Sequence, residues 1–212
     1  MLTLSQLEQQ ALNALQQADA DHGPIARVAL LSGGHDSATA TLMAANALKE
    51  LGKTLDAVVH IDTGTGIAET QQYVVNLCRE FDLPLRIYRA REYVRSNGTP
   101  DPQRYEDFVR QTGFPTAPGH TKMFNRLKDR QLDQMMRELK QQRHDRVLLI
   151  SGVRREESKR RMVNINASGT IAQQGSRVWV NVIADATGSD CTAFMKRNHI
   201  PRNTNSLNSS YR

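Results

Sequence analysis

The chain has 212 residues and a formal charge of +6, from 28 Lys and Arg against 22 Asp and Glu; its only cysteines are Cys78 and Cys191. Two thiols in no C-x-x-C pair exclude a four-cysteine zinc or iron–sulfur site built from this chain alone, so no iron–sulfur cluster is expected. No apolar run is long enough to cross a bilayer and no signal peptide is visible, so the expectation is a cytoplasmic protein with no membrane partner. The positive balance suits a nucleotide or nucleic-acid partner.

The length predicts a single domain over residues 1–212. Residues 3–20 read as an amphipathic helix opened by a Ser5/Glu8 capping box, with Leu7, Ala11, Leu15 and Ala18 on one stripe. Its Gln-rich face is either exposed helix or a homodimer contact. Residues 28–31 form a buried strand after Gly23-Pro24, and residues 37–51 form an Ala- and Leu-rich helix. A second strand ends near Asp62. The following helix carries Tyr73, Leu77 and Phe81 on one face, and "PLRIYRA" gives a third strand.

Residues 91–120, rich in proline and glycine, break this rhythm and read as an irregular, lid-like insertion. Residues 122–143 predict one long helix with Leu132, Met135, Met136 and Leu139 as its apolar stripe. "DRVLLISG" is a further buried strand, "RVWVNVI" a last one, and "SDCTAFMKRN" a short helix ended by Ile200-Pro201. The βαβαβ alternation predicts an α/β fold: a doubly wound, mostly parallel sheet with helices on both faces.

In such a sheet, ligands collect at the carboxyl ends of the strands. Three strands end in polar clusters. The first, Ser32-Gly33-Gly34-His35-Asp36-Ser37, joins a strand to a helix. Free N–H groups and the positive helix pole attract anions there, the glycines permit close approach, and the serines supply hydroxyls. Asp36 is a carboxylate for a Mg²⁺ that accompanies a polyphosphate. The loop has neither the Gly-Lys-Ser/Thr ending of a Walker A loop nor the G-x-G-x-x-G dinucleotide fingerprint. The second cluster, Asp62-Thr63-Gly64, offers a carboxylate and a hydroxyl for Mg²⁺ or ribose. The third opens with Ser151-Gly152-Val153-Arg154 and continues through Arg155, Lys159, Arg160 and Arg161, guanidiniums suited to phosphate or sulfate oxygens. Cys78, among apolar neighbours, reads as core; a catalytic role for Cys191 is disfavoured by adjacent Asp190.

"LLSGGHDS" resembles the PP-loop of the ATP pyrophosphatase superfamily. Together with "HIDTGTGIAET", "SGVRREESKRR" and the closing "VWVNVIADATGSDCTAFMKRNHIPRN", it resembles the phosphoadenylylsulfate (PAPS) reductase branch over most of residues 25–203. The resemblance implies the adenine nucleotide alpha-hydrolase-like (HUP) fold and an ATP ligand with Mg²⁺. It implies a PP-loop at residues 32–37, a metal or phosphate role for Asp62, and anion-binding arginines at Arg154 and Arg161. On this reading Asp36, Arg154 and Arg161 are the catalytic candidates and Asp36 and Asp62 the metal carboxylates. Ser32, Gly33, Gly34, His35, Ser37, Asp62, Thr63, Gly64, Gly152 and Arg160 bind nucleotide, with adenine against the backbone near His60 and Ile61.

Two departures stand out. Ala186 replaces the tryptophan of the branch's closing segment, and the chain ends in "NTNSLNSSYR" without the cysteine that reductases use, so residues 201–212 read as native or as a shortened tail. The leading expectation is α–β cleavage of ATP with release of pyrophosphate. The alternatives are a PAPS or APS (adenylylsulfate) reductase whose cysteine tail is missing, and a non-catalytic module that binds a nucleotide or nucleic acid in a defence, mobile-element or other ribonucleoprotein complex.

Overall fold

A computed structural model describes residues 3–156 and 170–204. The elements run α1 (Leu4–His22), β1 (Ala26–Leu30), α2 (His35–Glu50), β2 (Ala57–Asp62), α3 (Ala68–Glu80) and β3 (Leu85–Arg89). They continue with α4 (Tyr105–Thr112), α5 (Ala117–Phe124), α6 (Arg130–Leu139), β4 (Val147–Ser151), β5 (Ile171–Gln174), β6 (Arg177–Asn181) and α7 (Gly188–Arg197). The strands form one six-stranded sheet in the order β3-β2-β1-β4-β6-β5, parallel throughout except for the β5–β6 pair.

Strand periodicity divides the core between two faces. In β4, Leu148 and Ile150 point to the side covered by α1, α2, α3 and α7, where Leu15, Leu48, Leu77 and Phe194 are fully enclosed. Val147 and Leu149 point to the other side and meet Leu132, Met135 and Met136 of α6. The doubly wound, mostly parallel α/β expectation therefore holds. The strand order reverses between β1 and β4, which places the switch point of the sheet there.

Several boundaries differ from the sequence reading. The first helix is capped by Thr3 and Gln6, not Ser5 and Glu8, and extends to His22. Antiparallel β5 lies on a segment where the sequence predicts no strand. The insertion over 91–120 is not irregular throughout. It holds α4, whose Phe108 is buried, and the start of α5. The expected long helix over 122–143 is interrupted by a π-helical turn, Asn125–Asp129, between α5 and α6.

One buried charge ties α1 to the sheet. Asp19 accepts a forked pair of hydrogen bonds from Arg27 of β1, at 2.9 Å from Nε and 2.8 Å from Nη2, and also pairs with Lys53. Burial pushes its carboxyl up, but the hydrogen bonds and charges of Arg27 and Lys53 outweigh this and hold it below the ordinary 3.8. A depressed pKa contributes stability above the unfolded value, lost as pH falls through the folded one. Asp19→Asn should therefore cost about 2 to 3 kcal/mol at pH 7, below the range for a fully buried pair because both partners reach water. In urea melts, the gap from wild type should close below pH 3.8.

Candidate functional site

Three connections leave the carboxyl edge of the sheet beside the switch point. The first runs from β1 to α2. Gly33 has φ +84°, and a Cβ built on it would lie 2.5 Å from Thr70 Cγ2, so both conformation and space demand glycine. Gly34 is the N-cap of α2 and brings no side chain to its end, so the first N–H groups of a 16-residue helix have no side-chain cap.

The loop is braced from within. Ser37 Oγ donates to the Gly34 carbonyl at 2.9 Å, which leaves its lone pairs to the Ser32 hydroxyl at 3.0 Å and the Ser32 N–H at 3.2 Å. Ser37 is thus the internal brace, while Ser32 is exposed.

The second connection runs from β2 to α3. His60 is buried, and its Nδ1–H donates to the Leu31 carbonyl at 2.8 Å, joining the ends of the first two strands. Asp62 Oδ1 accepts from the Gly64 N–H at 2.8 Å, and Oδ2 lies 3.8 Å from Arg89 Nε. A cleft of about 270 Å³ opens here; Ser32, His60, Ile61, Asp62 and Thr63, all expected from the sequence, contribute to its wall.

Lys128 also reaches that wall, from the π-turn. The sequence carried a faint sign of this. Buried Leu127 and Leu132 are five residues apart, one more than an α-helical stripe allows, which is the spacing a π-turn produces.

The third connection leaves β4. A Cβ on Gly152 would meet the Asp36 carbonyl oxygen at 2.7 Å and the Ser37 nitrogen at 2.8 Å, so this loop lies directly against the first turn of α2. That contact delivers Arg154, whose Nε is 3.0 Å from Asp36 Oδ2 and whose Nη1 is 3.0 Å from Glu156. Burial pushes the Asp36 carboxyl up, but hydrogen bonds from His35 and Arg154 and the Arg154 charge bring it below the ordinary 3.8. Asp36 is therefore an ionised partner of Arg154. Arg155 instead pairs with Asp185 at 2.6 Å. Arg160 and Arg161 lie outside the described residues.

His35, Asp36 and Cys191 bring one ligand atom each within 4.8 Å of one another. Burial and the nearby Asp36 charge push the Cys191 thiol up to about 12, and burial pushes Cys78 up to about 11, so both thiols stay protonated at neutral pH. A protonated thiol beside a guanidinium does not fit a hard cation such as Mg²⁺. Asp62 fits better: it lines the cleft, and Mg²⁺ takes one or two carboxylates together with phosphate oxygens.

With this geometry in place, the comparisons decide the family. Residues 26–205 match the family described as the phosphoadenosine phosphosulfate reductase domain. The chain belongs to that family. The PAPS reductase domain sits in the ATP pyrophosphatase superfamily, and its solved structural neighbours share the fold at low identity. PAPS reductase from Candida auris, solved as a phosphate complex, superposes with a TM-score of 0.59 at 15% identity over 96% of this chain and 90% of that one. NH3-dependent NAD synthetase from Campylobacter jejuni, in complex with nitrate, gives 0.59 at 17% over 94% and 75%. The U34-tRNA thiolase of Methanococcus maripaludis, with its [4Fe-4S] cluster, gives 0.57 at 13% over 92% and 65%. A search of curated proteins finds no match. Among the described residues no helix of this PAPS reductase domain is long and apolar enough to cross a membrane.

Proposed function

We propose that the chain binds ATP and cleaves the bond between its α- and β-phosphates, releasing pyrophosphate and passing the adenylyl group to water or another acceptor. The observation that carries this reading is the meeting of the uncapped α2 N-terminus, the cleft at the ends of β1 and β2, and the half-buried Arg154 at one edge of the sheet. The anions in the Candida auris reductase and Campylobacter jejuni synthetase structures, phosphate and nitrate, are of the kind such an edge attracts.

In this reading the nucleoside lies in the 270 Å³ cleft against the backbone of His60 and Ile61, and the polyphosphate turns toward Gly33 and Gly34. Gly34 and the following amides of α2 meet the β- and γ-phosphates with N–H groups and the positive helix pole. The acceptor oxygen attacks the α-phosphorus, the α-phosphorus–oxygen bond to the β-phosphate breaks, and pyrophosphate leaves with that electron pair. When water attacks, AMP forms and one proton goes to solvent.

Arg154 stabilises the charge that grows on the bridging oxygen; Glu156, 63% exposed, is the partner that incoming phosphate replaces. Asp36 holds the Arg154 fork in place. Asp62 and phosphate oxygens would hold Mg²⁺, which supplies charge neutralisation at the phosphates when bound. Lys128 faces the same cleft from the π-turn.

The test is incubation of the purified chain with Mg²⁺ and ATP, with AMP, ADP and pyrophosphate resolved by ion exchange, beside Gly34→Asp. AMP and pyrophosphate that disappear in the variant support the reading; ADP and phosphate overturn it. ATP binding without turnover supports a nucleotide-binding module instead. In the reductase alternative Cys78 and Cys191 do not serve as the thiol nucleophile, since both are buried and held protonated.

A further inference from the structure

Beyond α7 the chain returns to the phosphate loop. Tyr73 of α3 donates its hydroxyl to the Pro201 carbonyl at 2.9 Å, which holds this segment along α3. Two residues on, Asn203 is 7% exposed, and its side-chain amide donates to the Gly33 carbonyl at 2.9 Å and to Thr70 Oγ1 at 3.3 Å. A buried amide 170 positions from Gly33 thus grips one specific backbone oxygen of the loop.

That oxygen belongs to the peptide between Gly33 and Gly34. The peptide is trans and planar, so its C=O and N–H point in opposite directions. With the carbonyl drawn toward Asn203, the Gly34 N–H must point the other way, toward exposed Ser32, whose Oγ lies 3.4 Å off in a weak contact. Glycine at φ +84° resists rotation of this peptide least of all residues, so an external anchor decides its orientation. Without it the peptide can turn over and present an oxygen to an anion in place of a donor.

We infer that Asn203 is a positioning residue for anion binding: by holding the Gly33 carbonyl it aims the Gly34 N–H at a phosphate oxygen of the ligand. This rests on the proposed binding of a polyphosphate at the α2 N-terminus. It makes the segment after α7, remote in sequence, part of the phosphate-binding apparatus without touching the ligand.

The test is an NMR titration with inorganic pyrophosphate that follows backbone amides and the Asn203 side-chain amide. In the wild-type chain the Gly34 amide and the Asn203 side-chain signals should shift together along one binding curve. Asn203→Leu, which keeps the branched shape and removes the donor, and Asn203→Ala should both bind pyrophosphate about tenfold more weakly, the scale of one mispositioned hydrogen bond to a charged group. Their Gly34 amide response should be lost while core amides such as that of Phe194 keep their positions. Equal affinity and an unchanged Gly34 response in the variants overturn the role of Asn203 and leave the nucleotide reading intact. No pyrophosphate binding by the wild-type chain overturns both. If neither variant folds, the wild-type titration alone decides, because a Gly34 shift with no Asn203 response overturns the inference.

Discussion

Gly152→Ala should lose about 2 to 3 kcal/mol of stability, the upper part of the range for overpacking, together with nucleotide binding. The added methyl would stand 2.7 Å from the Asp36 carbonyl oxygen, 2.8 Å from the Asp36 carbonyl carbon and 2.8 Å from the Ser37 nitrogen. All three are backbone atoms in the first turn of α2, so no side-chain rotation relieves the clash. Either the β4 loop withdraws or the α2 N-terminus shifts, and both movements separate Arg154 from Asp36 and the Gly33-Gly34 loop. Gly119→Ala is the control, since its Cβ would make an ordinary contact 3.5 Å from Pro115. Urea melts and ATP titration by calorimetry measure the two effects. An alanine variant that binds ATP with wild-type affinity would show that the contact between β4 and α2 does not position the site.

Arg154→Ala should lower the rate of pyrophosphate release at saturating ATP by about 100-fold or more, the usual loss when one donor to developing charge is removed. KM should change much less, because in the proposed reading the amides of α2 still hold the phosphates. Arg154→Lys should recover little, since an ammonium cannot fork between Asp36 and a phosphate oxygen.

The same variant makes a prediction in pH that does not depend on turnover. In the wild type Asp36 lies below its ordinary 3.8, so it contributes stability above that value, lost as pH falls through the lowered one. Removing Arg154 leaves burial as the dominant influence on the carboxyl, and burial raises its pKa. The stability deficit of Arg154→Ala should thus be largest at neutral pH and narrow toward pH 3.8, as Asp36 gains a proton. Melting temperatures across that interval test this; a constant deficit would mean that Asp36 and Arg154 are not coupled.

Local signals made much of the architecture legible. Alternating buried strands and amphipathic helices, with glycine at several junctions (Gly23, Gly33, Gly52 and Gly64), state a parallel α/β sheet because period and turn chemistry act within a few residues. The cluster at residues 32–37 was visible for the same reason. A strand, two glycines and a helix start are contiguous, and the φ of Gly33 is a local demand. The insertion misled because proline and glycine counts hide a single helical turn or two, and α4 is anchored by one buried side chain, Phe108.

What the sequence by itself determined is the alternation of strands and helices from β1 to β3, the strand and helix segments at β4, β6 and α7, the position of the Gly33-Gly34 loop and the residue types at the carboxyl edge. The tertiary structure alone decided their partners: Arg154 with Asp36, Gly152 against the first turn of α2, Lys128 at the cleft through a π-turn, and Asn203 on the Gly33 carbonyl. The physical reason is separation. Hydrogen bonds and ion pairs act over about 3 Å, and segments far apart in the chain reach that distance only once the sheet has set the edge where they converge.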